Sequence, residues 1–215
     1  MPTVVICDFD GTIMDVDTGK LILEKFAEGN WRHYDRLYDE MKMPVAEVLR
    51  HQFAMVKSSR GAILAAVEHS ADFREGFEEL LRACKRRGVP FVVASYGVDF
   101  CIRHFLGRSP LGREVRVYAP STRVTRRGTF LRFPKPMVRG SENIKDGLVR
   151  YHRERGATVV YVGDGTSDFA AIREANVRYA IRKSRLAMLC KGHGISVAEI
   201  SNFGPVTEYV TGSML

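Results

Sequence analysis

The sequence predicts a three-layer α/β fold, a parallel sheet between two helical layers, with a small helical insertion near its start. Three observations carry this. Val5-Ile6-Cys7-Asp8-Phe9-Asp10-Gly11-Thr12 reads as a short apolar strand ending in two carboxylates and a Gly-Thr turn. Residues 18–70 then hold helical apolar spacing and no strand. From Phe73 onward helix and strand alternate, the β–α–β order that implies a parallel sheet.

Each element follows from its residues. In the insertion the apolar positions are Leu21, Ile22 and Phe26, then Tyr34, Leu37 and Met41, then Val45, Val48, Leu49, Phe53 and Val56. Gly29, Pro44 and Ser58-Ser59-Arg60-Gly61 cut this run into short helices. Phe73, Phe77, Leu80, Leu81 and Cys84 predict an amphipathic helix ended by Gly88, and Val89–Ser95 a strand. Alternation over Val115–Phe133 around Arg127-Gly128 predicts a hairpin, placed as a flap on the sheet edge. Ser141–Arg155 reads as a helix through Ile144, Leu148 and Tyr151, and Ala157–Val162 as a strand that stops at Gly163-Asp164-Gly165-Thr166-Ser167-Asp168. A helix to Ala175 and a strand over Val177–Ile181 follow; beyond residue 200 the pattern is weak and reads as a tail. The whole is a Rossmann-like core of residues 1–14 and 75–215, with 15–74 as a helical cap.

Composition narrows the class. With 215 residues, 45% of them hydrophobic, the chain can bury a sizeable core. No apolar run approaches the ~18 residues of a membrane span, and Met1-Pro2-Thr3 leads straight into a strand without a leader pattern, so the expected location is the cytoplasm. Cys7, Cys84, Cys101 and Cys190 are scattered without a C-x-x-C pair, as buried free thiols would be. The net charge of +8 is spread over several elements, which argues against nucleic acid and suits steering of a small phosphorylated substrate.

Side chains two apart on a strand share a face, so Asp8 and Asp10 converge at a strand's carboxyl end, where open α/β sheets bind ligands. Ser95, Asp164 and Asp168 end two further strands. Gathered carboxylates repel one another, and an all-oxygen set calls for a hard divalent ion, most naturally Mg²⁺. Lys145, or its rival Lys135 in Pro-Lys-Pro, would add a fixed positive charge. The six histidines show no metal-binding spacing.

In order and type, Asp8-x-Asp10-Gly11-Thr12, Ser95, Lys145 and Gly163-Asp164-x-x-x-Asp168 resemble the four motifs of the haloacid dehalogenase-like hydrolases. The insertion is similar to the small cap of the phosphoserine phosphatase branch. Gly97-Val98-Asp99-Phe100 and the segment Gln52–Ser59 are closer to the methionine-salvage member, which dephosphorylates 2-hydroxy-3-keto-5-methylthiopentenyl phosphate. The resemblance implies a Mg²⁺-dependent phosphomonoesterase for a small metabolite, phosphoserine and a methionine-salvage phosphate being the candidates. Asp8 would be the nucleophile and Asp10 the acid and base. The metal would be held by Asp8, Asp10 through its carbonyl, Asp164, and Asp168 directly or through water. Thr12, Ser95, Tyr96 and Lys145 would bind phosphoryl oxygens. Tyr96 departs from the branch's usual Ser-Gly-Gly. Asp17 and Gln52 would set specificity; Asp17 can equally cap a helix from Thr18, and Gln52 stands where the phosphoserine enzyme has its carboxylate-binding arginine. Phe26, Trp31, Met41, Phe53 and Met55 form either a substrate lining or cap core. A mutase, a phospho-accepting signalling domain and a basic nucleic-acid module are the competing functions.

Overall fold

The computed structural model of the chain describes residues 2–40 and 42–212, so Met41 lies outside the described residues. β1 (Thr3–Cys7) is buried from Val4 onward, the continuous apolar run of a strand covered on both faces. Val5 and Cys7 serve one core and Val4 and Ile6 the other. β1 pairs in parallel with β2 (Phe91–Ala94) on one side and β6 (Thr158–Gly163) on the other. With β3 (Arg116–Tyr118), β7 (Val177–Ile181) and β8 (Ala198–Ile200), the parallel six-stranded order is β3-β2-β1-β6-β7-β8. The chain leaves β1 for β2 on one side and later reaches β6 on the other, so the crevice at their carboxyl ends is the topological switch point.

Two helical layers close the faces. α5 (Phe77–Arg87), α6 (Asp99–Leu106) and α10 (Gly204–Thr211) bring Phe77, Leu80, Phe105 and Val206 to the first core. α7 (Ile144–Arg153), α8 (Phe169–Glu174) and α9 (Arg185–Gly192) bring Leu148, Ile172 and Leu186 to the second. This is the expected three-layer Rossmann-like architecture. The four cysteines are free and buried. No helix among the described residues is long and apolar enough to cross a membrane.

Between β1 and α5 lie α1 (Thr18–Phe26), α2 (Arg32–Asp39), α3 (Val45–Ala54) and α4 (Arg60–Glu68). The segments leading in and out form a narrow neck. Met14 bridges Phe73 in antiparallel fashion, the Arg74 N–H donates to the Ile13 carbonyl at 2.7 Å, and the Asp15 N–H to the Asp72 carbonyl at 3.1 Å.

Three sequence expectations need correction. α5 starts at Phe77 rather than Phe73, because Gly76 takes φ +82° and breaks the helix, while Phe73 packs its ring on Phe77 at 4.8 Å. The region 115–133 splits: β3 joins the parallel sheet, and only β4 (Ser121–Thr125) and β5 (Gly128–Arg132) form the hairpin. That hairpin packs on α3 instead of the sheet edge. Thr129 Oγ1 donates to the Val56 carbonyl at 3.1 Å, and a Cβ on Gly128 would strike the Ala54 carbonyl. The tail beyond residue 200 contains α10, whose Val206 and Val210 are buried beside Phe203. At about 1.5–3 kcal/mol for each fully buried large apolar side chain, this face is enough to fix a short helix.

Candidate active site

The tight turn after β1 builds the floor of the site. Asp8 continues the strand, its N–H donating to the Val162 carbonyl at 2.9 Å. Asp10 stays extended, and Gly11 turns the chain at φ +69° with no room for a Cβ, which would strike the Asp164 carboxylate. Arg74 clamps this turn from the neck, donating through Nη2 to the Gly11 carbonyl at 2.7 Å and through Nε to the Thr12 carbonyl at 2.8 Å.

Lys145 Nζ is the centre of charge. It lies 2.9 Å from Asp8 Oδ2 and 2.7 Å from Asp168 Oδ1, and donates to Ser167 Oγ at 3.1 Å. The sequence places it there through Asn143, which caps α7 by accepting from the Lys145 N–H at 2.8 Å. Lys135 is exposed and lies outside the cavity lining, so Lys145 is the lysine the fold brings to the site. Burial alone would lower the Lys145 pKa, but Asp168 and Asp8 outweigh it and hold the ammonium charged.

The carboxylates differ in their partners. Asp168 Oδ1 accepts from Lys145 and from the Tyr161 hydroxyl at 2.6 Å, and Oδ2 from the N–H groups of Asp164 at 3.1 Å and Gly165 at 2.9 Å. Its ~four acceptor sites are thus taken by protein donors. Asp164 accepts from the Thr12 hydroxyl at 2.8 Å. Asp10 Oδ1 accepts from the Thr18 N–H at 3.0 Å and from the Thr18 hydroxyl. Burial, then the Asp168 charge, raises the Asp8 carboxyl well above its usual range. Burial followed by Asp17 pushes Asp10 up to about 7, and burial followed by Asp168 pushes Asp164 up to about 7. Carboxylate oxygens of Asp8, Asp164 and Asp168 lie within 4.8 Å of one another. With three carboxylates around one ammonium, the buried cluster is short of positive charge and its carboxylates offer only oxygen donors, which fits a hard divalent cation.

Above this floor a cavity of about 420 Å³ opens toward the helical insertion, lined by Asp8, Asp10, Ser95, Tyr96, Lys145 and Asp164 below and by residues of α1–α3 above. Ser95 Oγ accepts from the Gly97 N–H at 2.9 Å, leaving its own proton to donate into the cavity. A Cβ on Gly97 would strike Asp10 Oδ2.

The structure redistributes several sequence expectations. Thr12, expected on phosphoryl oxygens, is fully buried and spends its hydroxyl on Asp164 because the turn folds it beneath the carboxylate. Asp17 both lines the cavity and caps α1, accepting from the Lys20 N–H at 2.8 Å. Gln52 is buried in the lining, its Nε2 donating to the Trp31 carbonyl at 3.2 Å and to Asp35 at 2.6 Å. Trp31 and Phe53 line the cavity, while Phe26 and Met55 pack against the core. Sequence reasoning missed Thr18, Arg74, Tyr161 and Ser167; only Ser167, inside the Gly163–Asp168 motif, had a signal.

The family described as haloacid dehalogenase-like hydrolase matches residues 5–173. The chain belongs to the haloacid dehalogenase-like hydrolases. Among its relatives in that family, the 2-hydroxy-3-keto-5-methylthiopentenyl-1-phosphate phosphatase of Brevibacillus brevis is 28% identical over 189 residues, covering 86% of this chain and 84% of that protein. The bifunctional enzyme MtnB/MtnX of Bacillus licheniformis is 28% identical over 207 residues, covering 94% of this chain but 48% of that protein, so the chain spans about half its length. Among solved structures, a phospho-aspartyl intermediate analogue of phosphoserine phosphatase superposes with a TM-score of 0.71 at 19% identity, covering 97% of this chain and 98% of that one. A HAD-family hydrolase from Salmonella enterica serovar Typhi gives 0.76 at 16% identity, covering 100% of this chain and 73% of that one. At these identities the structural likeness is one of fold.

Proposed function

We propose that this haloacid dehalogenase-like hydrolase is a Mg²⁺-dependent phosphomonoesterase that transfers the phosphoryl group of a small metabolite to Asp8 and then to water. One observation carries the reading: Asp8, Lys145, Ser95 and Asp10 converge on the floor of a single cavity roofed by α1–α3 of the insertion. Asp8, Asp164 and the Asp10 carbonyl would hold the ion, and Asp168 would act by orienting Lys145 and the Asp164 loop. When bound, Mg²⁺ supplies charge neutralisation for the phosphoryl oxygens.

Lys145 fixes the Asp8 carboxylate and, with the Ser95 hydroxyl, binds phosphoryl oxygens as charge shifts in the in-line transition state. The Asp8 carboxylate attacks phosphorus, the bond to the leaving oxygen breaks, and the proton on Asp10 goes to that oxygen. Asp10, now ionised, takes a proton from the water that attacks the aspartyl-phosphate and releases phosphate. A carboxyl near 7 supplies both protonation states at neutral pH. Tyr96 stays a neutral phenol, pushed up to about 12 by burial, and borders the phosphoryl position.

The insertion, bounded by residues 15–74, acts as the cap that excludes water and reads the leaving group through Asp17 and Gln52. Gln52 and Asp35 stand paired in the lining, an arrangement poorly suited to a substrate carboxylate. This favours the methionine-salvage phosphate over phosphoserine, in line with the names of the curated relatives. Buried free thiols fit a reducing cytoplasm. The test is turnover over a panel of phosphorylated metabolites with and without Mg²⁺. Hydrolysis of the methylthio-sugar phosphate above phosphoserine is expected; absence of Mg²⁺-dependent phosphate release from every member, including p-nitrophenyl phosphate, contradicts the reading.

A further inference from the structure

Tyr96 follows Ser95 and stands in the middle of a column of contacts between the insertion and the buried lysine. Its ring lies 5.5 Å from Lys145 Nζ, and its hydroxyl meets the backbone of Ile144, the first residue of α7. It also packs on the Phe133 ring, 5.5 Å between centroids at 45°. Phe133 in turn lies 5.2 Å below the guanidinium of Arg50, on α3. Each step is an ordinary favourable contact, ammonium to ring, ring to ring, ring to guanidinium. Their succession from the insertion to the buried lysine is what gives them a further use.

Phe133 follows directly on β5, and β5 is fastened to the end of α3. Thr129 is fully buried with its hydroxyl on the Val56 carbonyl, and Gly128 has no room for a side chain against Ala54. A displacement of α3 would therefore pull on the hairpin and Phe133. Tyr96, Lys145 and α7 belong to the sheet side of the molecule. Phe133 is thus a joint at which the two parts meet beside the site.

We infer that the Arg50–Phe133–Tyr96 column couples docking of the helical insertion to the placement of Lys145, with Phe133 and Tyr96 as positioning residues. The inference rests on the reading of Lys145 as a phosphoryl-binding group. With the insertion docked, Phe133 presses Tyr96 against the ammonium and holds it between Asp8 and Asp168; with α3 displaced, Tyr96 loses its backing and Lys145 its fourth neighbour. The hairpin is then a working part of the cap, although it lies in the stretch 75–215 assigned to the core.

Arg50 is exposed and Phe133 half-buried, and neither lines the cavity, so both can be changed without touching the chemical groups. Hydrogen exchange on the whole protein gives a direct readout. Arg50→Gln should raise exchange at Gly97, Lys145 and Asp146, far from the substitution, as well as within α3. With p-nitrophenyl phosphate and Mg²⁺, Arg50→Gln should lower kcat about three- to tenfold with little change in KM, and have almost no effect in a Phe133→Leu background. Phe133→Tyr, which keeps the ring, should restore normal coupling. Exchange confined to α3 and the hairpin, or an Arg50→Gln effect of equal size in both backgrounds, overturns the inference. A wild-type protein without turnover would contradict the phosphatase reading instead, and the exchange experiment would still decide the coupling.

Discussion

Asp10 sits between opposing influences that a single substitution can separate. The Thr18 N–H and hydroxyl stabilise its charged form, whereas burial and then the Asp17 charge disfavour it, with the balance near 7. As the acid of the first step Asp10 must be protonated, so the rate falls as pH rises through its pKa. Asp17→Asn keeps a capping side chain for the Lys20 N–H but removes the charge, lowering the Asp10 pKa; the alkaline limb of kcat/KM should move to lower pH. Thr18→Val removes a donor to the carboxylate, and the limb should move to higher pH. Profiles that shift in the same direction for both variants would contradict the assignment of Asp10. The places of Asp8, Asp10 and Lys145 at one cavity were legible in the sequence because strand alternation and a helix cap fix where they point. The partners that tune them were not. Thr18, Tyr161 and Arg74 reach the site only through folding, and Thr12 was misplaced because its neighbourhood on the turn does not reveal which way the hydroxyl faces.

At the scale of elements, the neck is the sensitive part. Arg74 holds both the Gly11 and Thr12 carbonyls while sitting on the segment that leaves the insertion. Removing such a donor leaves partly buried acceptors unmet, at a cost of about 1–3 kcal/mol. Arg74→Ala should therefore lower the melting temperature and reduce kcat about tenfold by loosening the turn that carries Asp8 and Asp10. Unchanged kcat with a lowered melting temperature would limit Arg74 to stability. On the insertion, Gln52→Ala should raise KM for the best substrate with little change in kcat, because it removes uniform binding rather than a transition-state contact. Equal KM values would reduce Gln52 to a structural partner of Asp35 and Trp31. Between Ile181 and residue 200, where α9 and β8 form, no element was expected; β1, β2, β6, β7 and the amphipathic helices α5 and α7 were readable from periodicity alone. The hairpin's location and α10 were not, since both are settled by tertiary contacts: Gly128 and Thr129 against the end of α3, and Val206 and Val210 beside Phe203.

For the molecule as a whole, the sheet order brings three strand ends together at the switch point, and in the proposed reaction the resulting excess of buried carboxylate would link metal, proton and phosphoryl binding. Asp8 and Asp164 hold protons above the usual carboxylate range through burial and then Asp168, so a cation must displace them. Apparent Mg²⁺ affinity should rise from pH 6 to 8, with proton release measurable by titration calorimetry in buffers of different ionisation enthalpy; a flat affinity without proton release would contradict this picture. The central claim is that Asp8 receives the phosphoryl group. Its most direct test is a crystal structure of the protein with Mg²⁺ and beryllofluoride. The mimic bound to the Asp8 carboxylate, with Lys145 and Ser95 on its fluorines and the Asp8→Asn variant inactive, is the predicted result. Beryllofluoride on another residue, or full turnover by Asp8→Asn, would contradict it.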